Sequence, residues 1–238
     1  MWQQLHDDGY WAGEIWDKRK NGHIYPKWIS ITAVKNELGE VSHYVAIFSD
    51  ITARKNTEEE IYNLAFYDAL TKLPNRRLFL DRFGVALSMS ERYANYGATL
   101  FIDMDRFKIL NDTHGHECGD LLLKEVGVRI KSCVRDIDTV ARFGGDEFVV
   151  LIEAISQNRD DAVNNVALIA AKICEALAQP YQLKEYEHRC SSSIGISLFH
   201  GNETPVESLL EHADMAMYQA KSVGRNTVHF YDPLVQQI

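Results

Sequence analysis

Paired cysteines are missing from this 238-residue chain. Its four, Cys118, Cys133, Cys174 and Cys190, are widely spaced and form no CxxC motif. That argues against a disulfide framework and for reduced thiols in a cytoplasmic protein. No apolar run approaches the ~20 residues that span a bilayer. No charged-then-apolar leader opens the chain, although a longer parent protein could still carry a membrane segment. Internal repeats and low-complexity tracts are absent, which excludes a repeat architecture. Positive charge is the scarcer sign: 25 Lys and Arg stand against 34 Asp and Glu, for a net charge of −9. Such a chain is not expected to bind nucleic acid or anionic membrane in general, though a local basic site can hold phosphates.

What is present is ordinary for a globular protein, 46% apolar and 25% charged. The length suits one domain and a fragment of another. Three β-rich runs, Trp11–Trp16, Ile24–Thr32 and Val41–Ile51, are punctuated by Lys20-Asn21-Gly22 and Leu38-Gly39-Glu40. They predict a small antiparallel meander with too few strands for a good core. Residues 53–66 are charged, then apolar, with Ile61, Leu64 and Ala65 on one helical face. They form either a plain amphipathic linker or a short coiled coil. From Asp68 the chain alternates. Helices are predicted at Arg76–Tyr93, Gly119–Cys133, Asp161–Ala178 and Pro205–Ser222. Strands are predicted at Ala98–Met104, Cys190–Phe199 and Thr227–Tyr231. This is an α/β pattern of helices packed over a sheet.

The most informative stretch is Arg142-Phe143-Gly144-Gly145-Asp146-Glu147-Phe148. It lies between the apolar runs Ile137–Ala141 and Phe148–Ile152, a hairpin with a tight turn at Gly144-Gly145. Glycine at both central positions allows positive φ and leaves room for a ligand near the backbone. Two carboxylates at a hairpin tip repel each other, so they make sense beside a divalent cation or a reacting hydroxyl. Phe101-Ile102-Asp103-Met104-Asp105 is an apolar run ending in acids. Asp103 and Asp146, with the Met104 carbonyl, are candidate Mg²⁺ ligands, because Mg²⁺ takes few carboxylates and completes its shell with water and phosphate. Taken singly, Asp103 could instead cap a turn and Asp146 could face water.

In Arg106-Phe107-Lys108-Ile109-Leu110-Asn111-Asp112 the free N–H groups of a starting helix could bind a terminal phosphate. Lys108 adds a point charge. Asn111 carries both a donor and an acceptor, which suits a purine edge, and Asp120 could accept guanine N1 and N2 hydrogens. Asn111 could equally form a turn and Asp120 cap a helix. His114, His116 and Cys118 alternate without a zinc spacing or a second ligand pair, so zinc is not expected. Lys221-Ser222-Val223-Gly224-Arg225-Asn226 puts cations at a helix C-terminus, where the helix dipole favours them anyway.

These segments together resemble the GGDEF family of diguanylate cyclases. Asp68–Arg76 is similar to its DxLTxLxNR opening, Phe107–Asp112 to FKxxND, Gly144–Phe148 to the signature itself, and Lys221–Asn226 to KxxGRN. Arg135-Asp136-Ile137-Asp138, which ends shortly before Gly144, matches the RxxD inhibitory site. Five motifs in the family's order over about residues 66–232 are far more specific than one. Asp146 stands where many relatives have Glu, which keeps the carboxylate.

The resemblance implies a nucleotidyl-cyclase-like palm sheet flanked by helices. It implies condensation of two GTP into cyclic di-GMP by an active homodimer with Mg²⁺ or Mn²⁺. Asp103, Met104 and Asp146 would hold the metal, and Glu147 would take the 3′ proton or support the metal. Asn111 and Asp120 would read guanine. Arg106, Phe107, Lys108, Gly144, Gly145, Lys221 and Arg225 would meet the rest of the nucleotide. Arg135 and Asp138 would bind cyclic di-GMP as inhibitor. The opening segment is expected to support the site rather than react.

Gly13-Glu14, Arg19–Gly22 and Asp50-Ile51-Thr52 resemble the C-terminal half of a PAS sensor domain. The expected layout is a PAS part at 1–52, a linker helix at 53–66, the GGDEF domain at 67–233 and a tail at 234–238. The chain is thus expected to be a piece of a longer protein, and an EAL phosphodiesterase domain could follow. Two rival readings are a GTP-binding module that only regulates such a neighbour, and a structural dimerisation piece with no GTP affinity.

Overall fold

The computed structural model describes residues 1–232, so the tail expected at 234–238 lies outside the described residues. The chain divides into two compact units, Met1–Asn63 and Leu64 onward.

In the first unit a short helix, α1 (Trp2–Asp8), stops at Gly9, whose φ of 71° makes a left-handed cap. Three strands follow, β1 (Tyr10–Lys18), β2 (Ile24–Lys35) and β3 (Val41–Asp50), antiparallel in that order. The meander is as expected; α1, at seven residues, is an addition to it. The core is small: Leu5, Ile29 and Ile31, with Trp11 and Ile15 against them. The sheet hands over to helix α2 (Thr52–Phe66) through charge. Asp50 accepts from the backbone N–H and the hydroxyl of Thr52 at 2.9 and 2.6 Å, and pairs with Arg19. The Thr52 hydroxyl, then its N–H, then Arg19 hold the Asp50 carboxyl down at about 2, so it stays charged at any ordinary pH. Glu14 takes Arg54 and Lys55 of α2 at 2.6 and 2.7 Å. α2 itself buries no residue and leaves Ile61 and Leu64 in the open.

The second unit is built on a five-stranded sheet. Its strands are β4 (Tyr96–Met104), β5 (Thr139–Gly144), β6 (Glu147–Ser156), β9 (Ser192–His200) and β10 (Thr227–Phe230), in the order β10-β9-β4-β6-β5. Neighbours are antiparallel except β9 and β10, which run parallel. The helices are α3 (Arg76–Tyr93), α4 (Phe107–His114), α5 (His116–Cys133), α6 (Arg159–Ala178) and α7 (Val206–Ser222). A two-stranded ribbon, β7 (Tyr181–Leu183) and β8 (Tyr186–His188), completes the unit.

Central strand β4 explains the layering. Side chains alternate across a strand, so Leu100, Ile102 and Met104 join one core while Phe101 joins the other. The first core takes Leu122, Val126 and Ile130 of α5 and Val166, Ala170 and Ile173 of α6. The second takes Phe79 and Phe83 of α3 and Leu209, Ala213 and Met217 of α7. Helices therefore cover both faces, as the near-continuous apolar run of β4 predicts. Asn75 caps α3 and Asn158 caps α6, each accepting from two backbone N–H groups.

Most element ends lie within two residues of the expectation; the start of one helix and one short ribbon differ more. The helix expected at Gly119–Cys133 begins at His116, because Gly115 turns the chain with φ 81° directly after α4. The β7–β8 ribbon has strands of three residues, too short for alternation to show.

α7 lies very close to β9. A Cβ on Gly195 would come within 2.0 Å of the Ala213 carbonyl oxygen and 2.1 Å of the Met217 nitrogen, both backbone. Gly195→Ala is therefore expected to destabilise the unit by about 1–3 kcal/mol or more, since backbone cannot yield as a side chain can. Thermal unfolding followed by circular dichroism checks this; an unchanged midpoint would refute the close approach.

Candidate active site

The acids gather where β4 and β6 meet the turn. Asp103 and Glu147 are register partners, so they rise from the same face of the sheet. Asp146 sits in the turn just before Glu147. The turn differs by one residue from the expected one: Gly144 still pairs with Glu147 across a bulge, so the central residues are Gly145 and Asp146. The bulge takes up the extra residue. Gly144 at φ 149° and Gly145 at φ 51° both occupy backbone that favours glycine.

This carboxylate cluster is electrostatically unfavourable. Burial pushes the Asp103 carboxyl up; the Asp146 charge adds to that, and Lys221 opposes it. Lys221 Nζ stands 2.8 Å from Asp103. Burial likewise raises Asp146, against the pull of Lys221 and Arg142. Glu147 is raised by burial first, then by Asp103, Asp214 and Asp146. Three carboxyls with raised values, beside a lysine, are the arrangement of a reactive or ligand-binding site. Two of them, with the strand-end carbonyl of Met104, also suit a hard dication that keeps some of its waters.

Arg142 holds the turn. Its Nη1 donates to both oxygens of Asp68 at 3.0 and 3.1 Å, while Nε and Nη2 donate to the Gly145 carbonyl at 3.0 and 2.7 Å. Its backbone N–H donates to the Pro74 carbonyl at 3.0 Å. Asp68 is fixed in turn by the Thr71 N–H at 2.7 Å and hydroxyl at 2.6 Å. The opening segment thus reaches the turn through one guanidinium. Neither Asp68 nor Arg142 stands out singly in the sequence, although both lie inside quoted motifs.

Beside the acids, Arg106 takes a left-handed φ of 63° and α4 starts without a side-chain cap. Its first-turn N–H groups, at Phe107 and Lys108, are therefore open to an anion. Asn111 is set against α5: its Oδ1 is buried without a hydrogen-bond partner, and a Cβ on Gly119 would meet it at 2.0 Å. Gly119, absent from the sequence-based set, makes the slot; a glycine inside a helix, where it is unfavourable, is the available signal. Asp120 is exposed in α5 past its first residues. It does not cap that helix, whose cap position is Gly115. Arg225, at φ 64°, brings its Nε to 4.0 Å from Asp105. Asp105 is buried and accepts from the Ser191 and Ser193 hydroxyls and the Asn226 N–H.

Arg135 and Asp138 lie before β5, at the end away from the turn. Asp138 is buried and accepts three bonds from Arg135, at 2.9, 3.1 and 2.9 Å, and one from the Glu153 N–H. They bind each other, with the Asp138 side chain inside and about half of the Arg135 side chain in solvent.

The family model for "Diguanylate cyclase, GGDEF domain" matches residues 65–227. MucR of Pseudomonas aeruginosa, a bifunctional diguanylate cyclase/cyclic di-GMP phosphodiesterase, is 46% identical over 181 residues, 76% of this chain and 26% of that protein. Among solved structures, the GGDEF domain of TpbB from Pseudomonas aeruginosa has a TM-score of 0.66 at 38% identity, over 72% of this chain and 99% of that one. The coiled coil and GGDEF domain of DgcB from Caulobacter crescentus, in complex with c-di-GMP, has a TM-score of 0.67 at 26% identity, over 76% and 93%. The chain spans about a quarter of the length of the curated relatives it matches.

Asp68→Asn should cost about 1 kcal/mol at neutral pH, below the usual worth of a hydrogen-bonded charged group, because water still reaches this one. Burial opposes ionisation of Asp68, but the Thr71 bonds and Arg142 outweigh it and hold its carboxyl below the usual value. The contribution is then present above about pH 4 and lost as pH falls through the lower folded value. Urea unfolding of both proteins at neutral and acid pH tests this. A difference that stays constant down to about pH 2 would show that the charge pair is not its source.

Proposed function

The chain belongs to the GGDEF family of diguanylate cyclases, and on that premise we propose that its second unit condenses two GTP into cyclic di-GMP, releasing two pyrophosphates. The observation that carries this reading is the three-carboxylate cluster of Asp103, Asp146 and Glu147, with Lys221 at 2.8 Å from Asp103.

Asp103, Asp146 and the Met104 carbonyl would hold Mg²⁺ or Mn²⁺, which when bound offsets charge on the reacting phosphate and the leaving pyrophosphate. Glu147, raised by burial and by its acidic neighbours, suits the role of accepting the ribose 3′ proton. The unpartnered Asn111 oxygen would accept from a guanine N–H, and Asp120 from N1 and N2. The open N–H groups after Arg106, with Lys108, Lys221 and Arg225, would bind the triphosphate. Gly144 and Gly145 let the nucleotide approach the turn.

One such unit carries one nucleotide, so attack by the 3′-hydroxyl of one GTP on the α-phosphorus of the other requires a two-fold dimer. The exposed Ile61 and Leu64 of α2 offer a face for it. Arg135 and Asp138 would bind cyclic di-GMP as inhibitor, trading their mutual pair for contacts with the ligand. The three-stranded sheet and its Glu14, Arg19 and Asp50 junction support reading residues 1–52 as the end of a PAS domain. We place the enzyme in the cytoplasm, where GTP is found. Among the described residues no helix is long and apolar enough to cross a membrane.

MucR is named for both activities, whereas two further relatives, NbdA of Pseudomonas aeruginosa and PdeR of Escherichia coli, each 33% identical, are named as cyclic di-GMP phosphodiesterases alone. That favours a second reading, in which this unit binds GTP and regulates an EAL domain in the same protein without turning over.

Asp146→Ala and Glu147→Ala should each lower cyclic di-GMP formation at least about 100-fold, with unchanged circular dichroism. Nucleotide chromatography at two protein concentrations reads the product, which should rise faster than linearly with protein. GTP binding without product in the wild type would select the regulatory reading; wild-type turnover in either variant would remove the residue from the mechanism. Gly119→Ala should displace the Asn111 side chain and raise KM for GTP about tenfold, the worth of one hydrogen bond to a polar ligand edge. An unchanged KM would sink the proposed guanine slot.

A further inference from the structure

The largest cavity described, about 660 Å³, lies on the other side of α4 from Asn111. Phe107 and Asn111 face Gly119 of α5. Arg106, Ile109 and Thr113 face this cavity instead. Its other walls are the segment His188–Ser191, entering β9, and the Gly224-Arg225 loop.

The lining carries three guanidiniums against one carboxylate, in a chain of net charge −9. Arg106, Arg189 and Arg225 contribute guanidinium groups, and His114 and His188 contribute imidazoles. The two imidazoles are neighbours: burial first, then the nearness of His114, lowers His188, so His188 offers an N–H donor rather than a charge. Asp105 is the carboxylate in the lining, and its oxygens are already engaged by Ser191, Ser193 and Asn226. Arg189 also pairs with Glu187 at 3.2 Å, with both side chains mostly exposed. Such a pair is weak and yields readily to a stronger anion. Guanidinium forks match phosphate oxygens in pairs.

We propose that this cavity is a pyrophosphate site, which receives the condensed phosphate released at the adjoining active site and retains it as an inhibitor. The position supports this identity. Arg106 and Arg225, which line it, are also residues that would hold the triphosphate tail, and α4 stands between the cavity and the base slot. The source of the pyrophosphate rests on the cyclase reading; the anion site does not.

The test is calorimetry of the full chain with sodium pyrophosphate and Mg²⁺, for the wild type, the double variant His188→Ala, Arg189→Ala, and Arg189→Glu. Both variants lie at the end of the β7–β8 ribbon, and circular dichroism confirms that they fold. The expected result is pyrophosphate binding weakened at least about tenfold in the double variant, the worth of a charged hydrogen bond, and further in Arg189→Glu. The initial rate without added pyrophosphate should be unchanged, and the inhibition curve should shift by the same factor. Equal pyrophosphate affinity in all three proteins overturns the proposal. So does a rise in KM for GTP as large as the loss of pyrophosphate affinity, which would assign the cavity to the substrate's own tail. Weakened pyrophosphate binding in a protein that makes no cyclic di-GMP would uphold the site and remove the cyclase reading.

Discussion

The candidate site depends on one guanidinium. Arg142 joins the carboxylate of Asp68 to the carbonyl of Gly145, and through it a turn more than seventy residues from Asp68 acquires a fixed position. The turn alone could not supply that. Its glycines permit unusual backbone, but permissive backbone is also backbone that loses most entropy on ordering. A planar fork with five donors satisfies both partners at once and tolerates little displacement. Asp146, one residue beyond the Gly145 carbonyl, inherits this position. The DxLTxLxNR segment therefore acts at a distance: Thr71 fixes Asp68, Asp68 fixes Arg142, and Arg142 fixes the turn.

The sheet supplies the other half of the constraint. With helices packed on both faces of β4, that strand cannot slip without moving two cores, so Asp103 is held in register with Glu147. Like charges placed this way cost stability, and the apolar layers offset it. Burial is the first cause of the raised Asp103, Asp146 and Glu147 carboxyls, so the same packing that fixes the acids also makes them reluctant to ionise.

Much of this is legible in the sequence because it is periodic or local. The central strands, the long helices and the meander follow from alternation, helical spacing and turn residues. The turn sits one residue further on than its glycines suggest, because a bulge between Arg142 and Gly144 leaves no mark in the apolar pattern. The break between α4 and α5 rests on one glycine, and β7 and β8 are shorter than any readable period. Contacts between distant side chains are beyond such reading. The Asn111 slot needs Gly119 across a helix pair, and the Arg142 bridge needs the whole sheet in place.

Several cations near the site are already paired with the protein's own acids. Lys221 pairs with Asp103, Arg225 approaches Asp105, and at the far end of β5 Arg135 is closed on Asp138. Without nucleotide these pairs limit the repulsion that the acids would otherwise feel. On the proposed reading, ligand binding is therefore an exchange of partners rather than a simple gain of contacts. A phosphate would compete with Asp103 for Lys221, and Asp103 would be free to hold a metal once Lys221 turned to that phosphate. On that reading metal and nucleotide would favour each other's binding, because each would free the partner that the other needs.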